Sequence, residues 1–145
     1  MRPTVVENKT YTISVNFTNG NLDFFDSYDE LKMYSPTKIH LHAPSEHTFN
    51  GKHYDLEIHI VHKDYKSSNL AVLALFFDIN EGDGGNIENA FLTALMLDKQ
   101  NPLIKTLPLG DLIDRFRKKK LYTYQGSLTI PPCSEIVTWI INDEP

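Results

Sequence analysis

Runs of apolar residues along the chain predict a protein built mainly of β-strands. Tyr11–Phe17 alternates polar and apolar side chains at a period of two, which is typical of a half-buried strand. Leu70–Phe77 is apolar throughout and predicts a strand buried on both faces. Shorter apolar runs predict four more strands, at Lys38–His42, Tyr54–His62, Tyr122–Leu128 and Ile136–Ile141. Asn50-Gly51 is a turn signal, so the strands on either side of it are expected to form a hairpin.

Two segments repeat apolar residues at a helical period. Asn86–Lys99 has this period, with Asn86 as the candidate N-terminal cap. Leu109–Lys120 is the second predicted helix, and its basic end is favourably placed at the negative pole of the helix dipole. With 145 residues and no Pro/Gly-rich linker, residues 1–145 are predicted to form a single domain.

Composition and charge exclude several classes of function. The chain has 14 Lys and Arg against 19 Asp and Glu, a net charge of −5, whereas a nucleic-acid-binding protein needs an excess of cations. The longest apolar run is far too short to span a bilayer. Cys133 is the one cysteine, so no disulfide within this sequence is expected.

Histidine is the residue whose distribution points to chemistry. All six histidines lie between positions 40 and 62, and metal binding is the usual reason for such clustering. Strand alternation places His40 and His42 on one face, with Ile39 and Leu41 on the other. If the next predicted strand pairs with this one, His59 faces the pair and Glu57 lies on the same face.

Three neutral imidazoles with an open fourth position are typical of a catalytic zinc site. Glu57 is suited to hydrogen-bond His59 and to raise its basicity as a ligand. The other three histidines carry weaker interpretations: His47 as a hydrogen-bonded core residue, His53 as an exposed turn residue, and His62 as a residue facing away from His59.

Two alternatives compete with this zinc site. In the first, His40 and His42 only form a polar strand face; the additional His59 and Glu57 favour a metal instead. The spacing His40-x-His42-x3-Glu46 also matches the first half of a cupin metal motif. That motif requires a further histidine downstream, and none follows His62.

Several segments together resemble the α-class carbonic anhydrases. They are Lys38–His42, Ser45–Thr48, Leu56–His62, Leu70–Leu73 and Tyr124–Trp139, and the resemblance is collinear from about Tyr11 to the C-terminus. It implies a mainly β fold with some helix: a large, twisted, mostly antiparallel sheet with short peripheral helices. Relative to the family, the sequence is expected to form a partial domain that lacks the N- and C-terminal segments.

The resemblance also implies roles for individual residues. His40, His42 and His59 match the zinc ligands. Thr129 matches a threonine that hydrogen-bonds the zinc-bound hydroxide, and Glu46 matches the acid that accepts the proton of that threonine. Glu57, His47 and Tyr124 match residues that support the ligands. The apolar wall where carbon dioxide would lie is matched by Val61, Val72, Leu128 and Trp139.

The implied activity is the reversible, zinc-dependent hydration of carbon dioxide to bicarbonate and a proton, by attack of zinc-bound hydroxide. The alternative is a non-catalytic binding or scaffold domain with the same fold. Lys38 replaces a glutamine that usually accepts a hydrogen bond from the first ligand, and an ammonium group only donates. The proton-transfer region aligns near Tyr11, which relays protons poorly at neutral pH.

The resemblance and two short motifs favour a secretory or extracellular origin. Cys133 lies where secreted members of the family carry one half of a disulfide. The sequence also contains two glycosylation motifs, Asn8-Lys9-Thr10 and Asn16-Phe17-Thr18. The expected partner is a small-molecule substrate, carbon dioxide or bicarbonate; the sequence does not indicate an oligomeric state.

Overall fold

The computed structural model describes residues 4–9, 12–16, 20–78, 91–95, 103–104 and 107–142. Within these ranges the chain forms eleven strands, a helix at Leu109–Phe116 and a helical turn at 91–94. The strands are β1 (Thr4–Lys9), β2 (Thr12–Asn16), β3 (Leu22–Phe25), β4 (Leu31–His42), β5 (Thr48–Phe49), β6 (Lys52–His53), β7 (Leu56–Asp64), β8 (Leu70–Phe77), β9 (Leu103–Ile104), β10 (Leu121–Gly126) and β11 (Val137–Asn142).

Nine of these strands form one sheet. Its order is β10-β11-β8-β7-β4-β2-β1-β9, and β3 pairs with β4 beside this path. Every pairing in the sheet is antiparallel except that of β8 with β11, which is parallel. The prediction of a mostly antiparallel sheet with short peripheral helices is therefore confirmed.

The central strands are buried on both faces. One face carries aliphatic side chains, among them the fully buried Ile39 and Ile58. It packs in one apolar cluster with the fully buried Phe91 and Leu95 of the segment 91–95 and with the helix Leu109–Phe116. A smaller apolar cluster lies on the other face, around Val72 and Trp139. As predicted from its apolar run, β8 has an interior buried on both faces. Among the described residues, no helix is long and apolar enough to cross a membrane.

Two sequence predictions need correction, and both concern β4. It begins at Leu31 rather than Lys38, because Ser35-Pro36-Thr37 continues the strand through a β-bulge instead of interrupting it. The predicted hairpin partner is right, since β4 pairs with β7. However, the Asn50-Gly51 turn closes the small β5–β6 hairpin that lies between these two strands. Both turn residues have positive φ, at 51° and 75°.

The remaining predicted elements lie close to observed ones. The strands predicted at 122–128 and 136–141 correspond to β10 and β11, each displaced by one or two residues. The helix predicted at 109–120 ends at Phe116, after which the basic run forms a turn. Most of the helix predicted at 86–99 lies outside the described residues, although 91–94 are helical.

We predict that Ile58→Ala lowers the free energy of unfolding by about 2–5 kcal/mol, because Ile58 is completely buried and the truncation leaves a cavity. Denaturant titration measures this change. Ile130→Ala is the matched control, since Ile130 is 57% exposed and should change stability by no more than about 0.5 kcal/mol. Equal effects of the two substitutions would contradict the assigned core.

Candidate metal centre

The register of β4 against β7 brings the histidines together. His40 lies directly opposite His59, and His42 lies directly opposite Glu57. Directly opposed residues project from the same face, so all four side chains share one side of the sheet. The same face also carries Val72 and Trp139. Val61 lies two residues after His59 on β7 and shares its face; Val61 pairs with Val72, and Val72 pairs with Trp139.

Glu57 is the centre of the polar contacts on this face. Its side chain is completely buried, yet its carboxylate accepts three hydrogen bonds. His59 Nε2 donates to Oε1 at 2.5 Å, His47 Nδ1 donates to Oε1 at 2.5 Å, and the backbone N–H of His47 donates to Oε2 at 2.8 Å. Burial alone would raise the pKa of Glu57, but these donors hold that pKa well below its ordinary range.

An ionised Glu57 decides which nitrogen of each neighbouring ring carries the proton. A carboxylate only accepts hydrogen bonds, so His59 must be protonated on Nε2 and His47 on Nδ1. In a neutral ring, His59 then presents the lone pair of Nδ1. His47 Nε2 is left as an acceptor, and the Tyr124 hydroxyl donates to it at 2.6 Å. Burial, followed by the nearby Glu57 charge, raises the pKa of Tyr124 and preserves this donor.

Two aromatic side chains of β10 and β11 hold the histidine rings in place. The Trp139 ring centroid lies 4.8 Å from that of His59 and 5.0 Å from that of His47. The Tyr124 ring stacks on Trp139, with 12° between the ring planes. Gly126 makes room for both, since a Cβ at this position would lie 2.9 Å from a Tyr124 ring carbon.

Three side chains on this face place potential metal donors close together. One atom each from His42, Glu46 and His59 lies within 4.8 Å of the other two. The Nε2 atom of His42 is buried and has no hydrogen-bond partner in the described part of the chain. Burial, with the nearby His59 as the next cause, lowers the pKa of His42 and favours its neutral, coordinating form. This donor set fits a divalent metal ion.

A second cluster, formed by His47, Glu57 and His59, also satisfies the distance criterion for a metal. Its donor atoms are already joined by the hydrogen bonds described above, and both rings donate protons to Glu57. A metal there would have to displace those protons. We therefore regard this cluster as the support of His59.

His40 lies at the edge of the donor cluster. Two imidazoles bound to one tetrahedral zinc have ring centroids about 5 Å apart, as follows from Zn–N distances of about 2.0–2.1 Å. The centroids of His42 and His59 are 4.5 Å apart, whereas those of His40 and His42 are 6.2 Å apart. Among the described residues, His40 belongs to neither of the two clusters of potential donors.

Glu46 and Thr129, which the family resemblance pairs, lie in different segments of the structure. The Glu46 carboxylate lies 3.4 Å from Nδ1 of His42 and 3.9 Å from Nδ1 of His59. Thr129 is exposed in the segment between β10 and β11, and within the described residues no side-chain hydrogen bond joins it to Glu46. Lys38 is half-buried opposite Val61, and Tyr11 lies outside the described residues.

The predicted apolar wall is brought together beside these polar groups. Val61, Val72 and Trp139 are buried in one cluster, and Leu128 packs against it. The remaining two histidines have the surroundings that the sequence indicates. His53 is exposed and donates to the Ser45 carbonyl, whereas His62 is buried and donates to the Ile60 carbonyl.

Sequence reasoning missed two residues that shape the site. Ser45 is 2% exposed; its hydroxyl donates to the His47 carbonyl at 2.6 Å and accepts from the Tyr54 N–H at 2.9 Å. The sequence Ala43-Pro44-Ser45 indicates that the strand ends here, but it does not indicate the hydrogen bonds of the Ser45 hydroxyl. Gly126 is the second missed residue. Its sequence signal is a glycine inside a strand rich in aromatic residues, which indicates that another group approaches the backbone closely.

We predict that Gly126→Ala lowers the free energy of unfolding by about 1–3 kcal/mol, because the added methyl group overlaps the Tyr124 and Trp139 rings. It should also change the emission of Trp139, which is the single tryptophan. Gly110→Ala is the control, since its Cβ would meet nothing within 4 Å. Wild-type stability and emission in Gly126→Ala would contradict the packing described here.

A second prediction concerns Glu57 and pH. Because folding lowers the pKa of Glu57, its charge adds stability that is complete above the unfolded pKa, about 4.3, and is lost as pH falls through the lower folded value. The stability advantage of wild type over Glu57→Gln should therefore be largest near neutral pH and shrink on acidification. Denaturant titrations across pH measure it.

The exposed Glu135→Gln is the control for that series and should reproduce the wild-type pH dependence. If the difference in the free energy of unfolding between wild type and Glu57→Gln stays constant between about pH 7 and about pH 3, this would contradict an ionised Glu57.

Comparison with known proteins gives a consistent result. The family model for eukaryotic-type carbonic anhydrases matches residues 1–145. Alpha carbonic anhydrase 4 of Arabidopsis thaliana is 41% identical over 108 residues, or 72% of this chain and 38% of that protein. Dioscorin DB3L of Dioscorea polystachya is 30% identical over 138 residues, or 94% of this chain and 49% of that protein.

A solved structure supports the same assignment. The fungal alpha carbonic anhydrase from Aspergillus oryzae has a TM-score of 0.80 and 32% identity, covering 99% of this chain and 60% of that one. The chain thus spans less than two thirds of each relative named here. With the family model matched along its whole length, this chain belongs to the eukaryotic-type carbonic anhydrase family.

Proposed function

We propose that this chain carries a zinc site for the reversible hydration of carbon dioxide to bicarbonate and a proton. The observation that carries the proposal is the orientation of the His59 ring. Glu57 accepts a hydrogen bond from its Nε2–H, so that Nδ1 is presented beside the largely buried His42. The family is typically zinc-dependent, which agrees with this donor set. A Zn²⁺ ion held there supplies a Lewis acid that makes water nucleophilic near neutral pH.

The residues around the donors have separate tasks in this proposal. His42 and His59 hold the metal, with His40 as the third ligand implied by the family resemblance. Glu57 fixes the orientation of His59, and Tyr124 fixes that of His47, which in turn donates to Glu57. The apolar surface of Val61, Val72 and Trp139 excludes water from the side where an uncharged substrate would lie.

The second candidate is a non-catalytic binding domain with the same fold. Two observations favour it. Thr129 makes no hydrogen bond to Glu46 within the described residues, and a dioscorin is among the relatives. In this case the donor cluster would bind a metal without turning over carbon dioxide, or would bind none. Metal content and hydration rate, measured on the same sample, separate these cases.

We predict that the purified chain binds about one Zn²⁺ per molecule. His59→Ala should lower the Zn²⁺ affinity by more than about 100-fold, because losing a direct ligand costs more than losing a supporting residue, which lowers the affinity by about 10–100-fold. Metal analysis after dialysis measures binding, and stopped-flow hydration of carbon dioxide measures turnover.

His53→Ala is the matched control, because His53 is exposed and belongs to neither donor cluster. Zinc binding without hydration would support the binding-domain alternative. A wild-type chain that stays folded and binds no zinc would contradict the proposed metal site.

A further inference from the structure

We propose that Lys38 binds the bicarbonate anion at the proposed metal site, by donating a charge-assisted hydrogen bond from its ammonium group. This inference rests on the proposed function and adds to it a residue that distinguishes the charged product from the uncharged substrate. It arises because Lys38 lies on the face of the sheet that carries the histidines and has no partner of opposite charge there.

The register of the sheet places Lys38 at the border between the histidines and the apolar wall. Residues of β4 alternate between the two faces, so Lys38 shares the face of His40, whereas Ile39 lies in the aliphatic cluster on the other face. Lys38 lies directly opposite Val61, and His40 lies directly opposite His59. Directly opposed residues have Cβ atoms about 4.5–5.5 Å apart, so Lys38 adjoins the wall on one side and the metal donors on the other.

The neighbours of Lys38 on this face carry no negative charge. Its cross-strand neighbours are Val61 on β7 and Asn16 on β2. The residues two positions before and after Val61 are His59 and the exposed Lys63. Among the described residues, Lys38 forms no hydrogen bond and no ion pair. Its positive charge is therefore available to a ligand.

The two acids of the metal centre do not compensate this charge. Glu57 is occupied, because its carboxylate accepts hydrogen bonds from His47 and His59. Within the described part of the chain, the ion pairs of Glu46 are also with histidines. Lys38 is half-buried beside an apolar wall, where an ion pair is stronger than in open solvent. A small anion that enters from solvent is suited to be its partner.

A cation at this position affects the two sides of the proposed reaction differently. Carbon dioxide has no charge and gains little from an ammonium group. Bicarbonate is an oxyanion, and a hydrogen bond between two charged groups is about twice as strong as one between neutral groups. Lys38 should therefore retain bicarbonate and make the site sensitive to other small anions. The glutamine that the family resemblance places at this position has no charge and lacks this effect.

The test is the bicarbonate affinity of the full chain loaded with Co²⁺, read from the visible absorption spectrum of the bound ion at constant pH and ionic strength. Lys38→Met keeps the length of the side chain and removes its charge, so it should weaken bicarbonate binding by about tenfold or more. Lys38→Arg keeps a charged donor and should stay within about threefold of wild type.

Lys66→Met is the matched control for the loss of one positive charge. Lys66 is exposed between β7 and β8, so its charge is screened and the variant should stay within about twofold of wild type. Circular dichroism and the Co²⁺ content of each variant verify that it is folded and loaded.

Three outcomes would overturn the role of Lys38 and leave the proposed function standing. They are wild-type bicarbonate affinity in a loaded Lys38→Met, a loss in Lys38→Met that is equalled in Lys38→Arg, and a loss in Lys38→Met that is equalled in Lys66→Met. A folded wild-type chain that binds neither Zn²⁺ nor Co²⁺ would overturn both proposals.

Discussion

The buried charge of Glu57 is the constraint on which the rest of the site depends. A carboxylate without any exposed surface is tolerated only if donors surround it, and here His47 and His59 supply them. Satisfying that charge fixes both rings, their tautomers and the loop that carries His47. The hydrogen bond from His59 Nε2 to Glu57 also orients Nδ1 of that ring toward the other donors.

The sheet supplies the precision that this network requires. Glu57 and His59 lie on a nine-residue strand between β4 and β8, where the register is set by apolar residues on the opposite face, such as Ile58 and Ile60. A shift of one residue would exchange the polar and the apolar faces. Trp139 then closes the space beside His59, so packing and hydrogen bonding position the same ring.

Sequence predicted the parts of this structure that depend on local pattern. Leu70–Phe77 was predicted with its observed bounds, and strand alternation placed His59 and Glu57 on the correct face. The start of β4 was not predictable, because Ser35-Pro36-Thr37 resembles a break until its pairing with β7 is known. Nor could the sequence show how Ser45 anchors the loop that carries His47, because its hydroxyl bonds both to the His47 carbonyl and to the N–H of Tyr54. The single domain over 1–145 stays a prediction.

The protonation state of His59 tests the central claim most directly. Nitrogen-15 NMR of the histidine rings in the metal-free chain at neutral pH reports which nitrogen carries the proton. Because Glu57 is an ionised acceptor, the account predicts that His59 is protonated on Nε2 with a bare Nδ1, and that Glu57→Gln loses this preference. A wild-type His59 protonated on Nδ1 would contradict it.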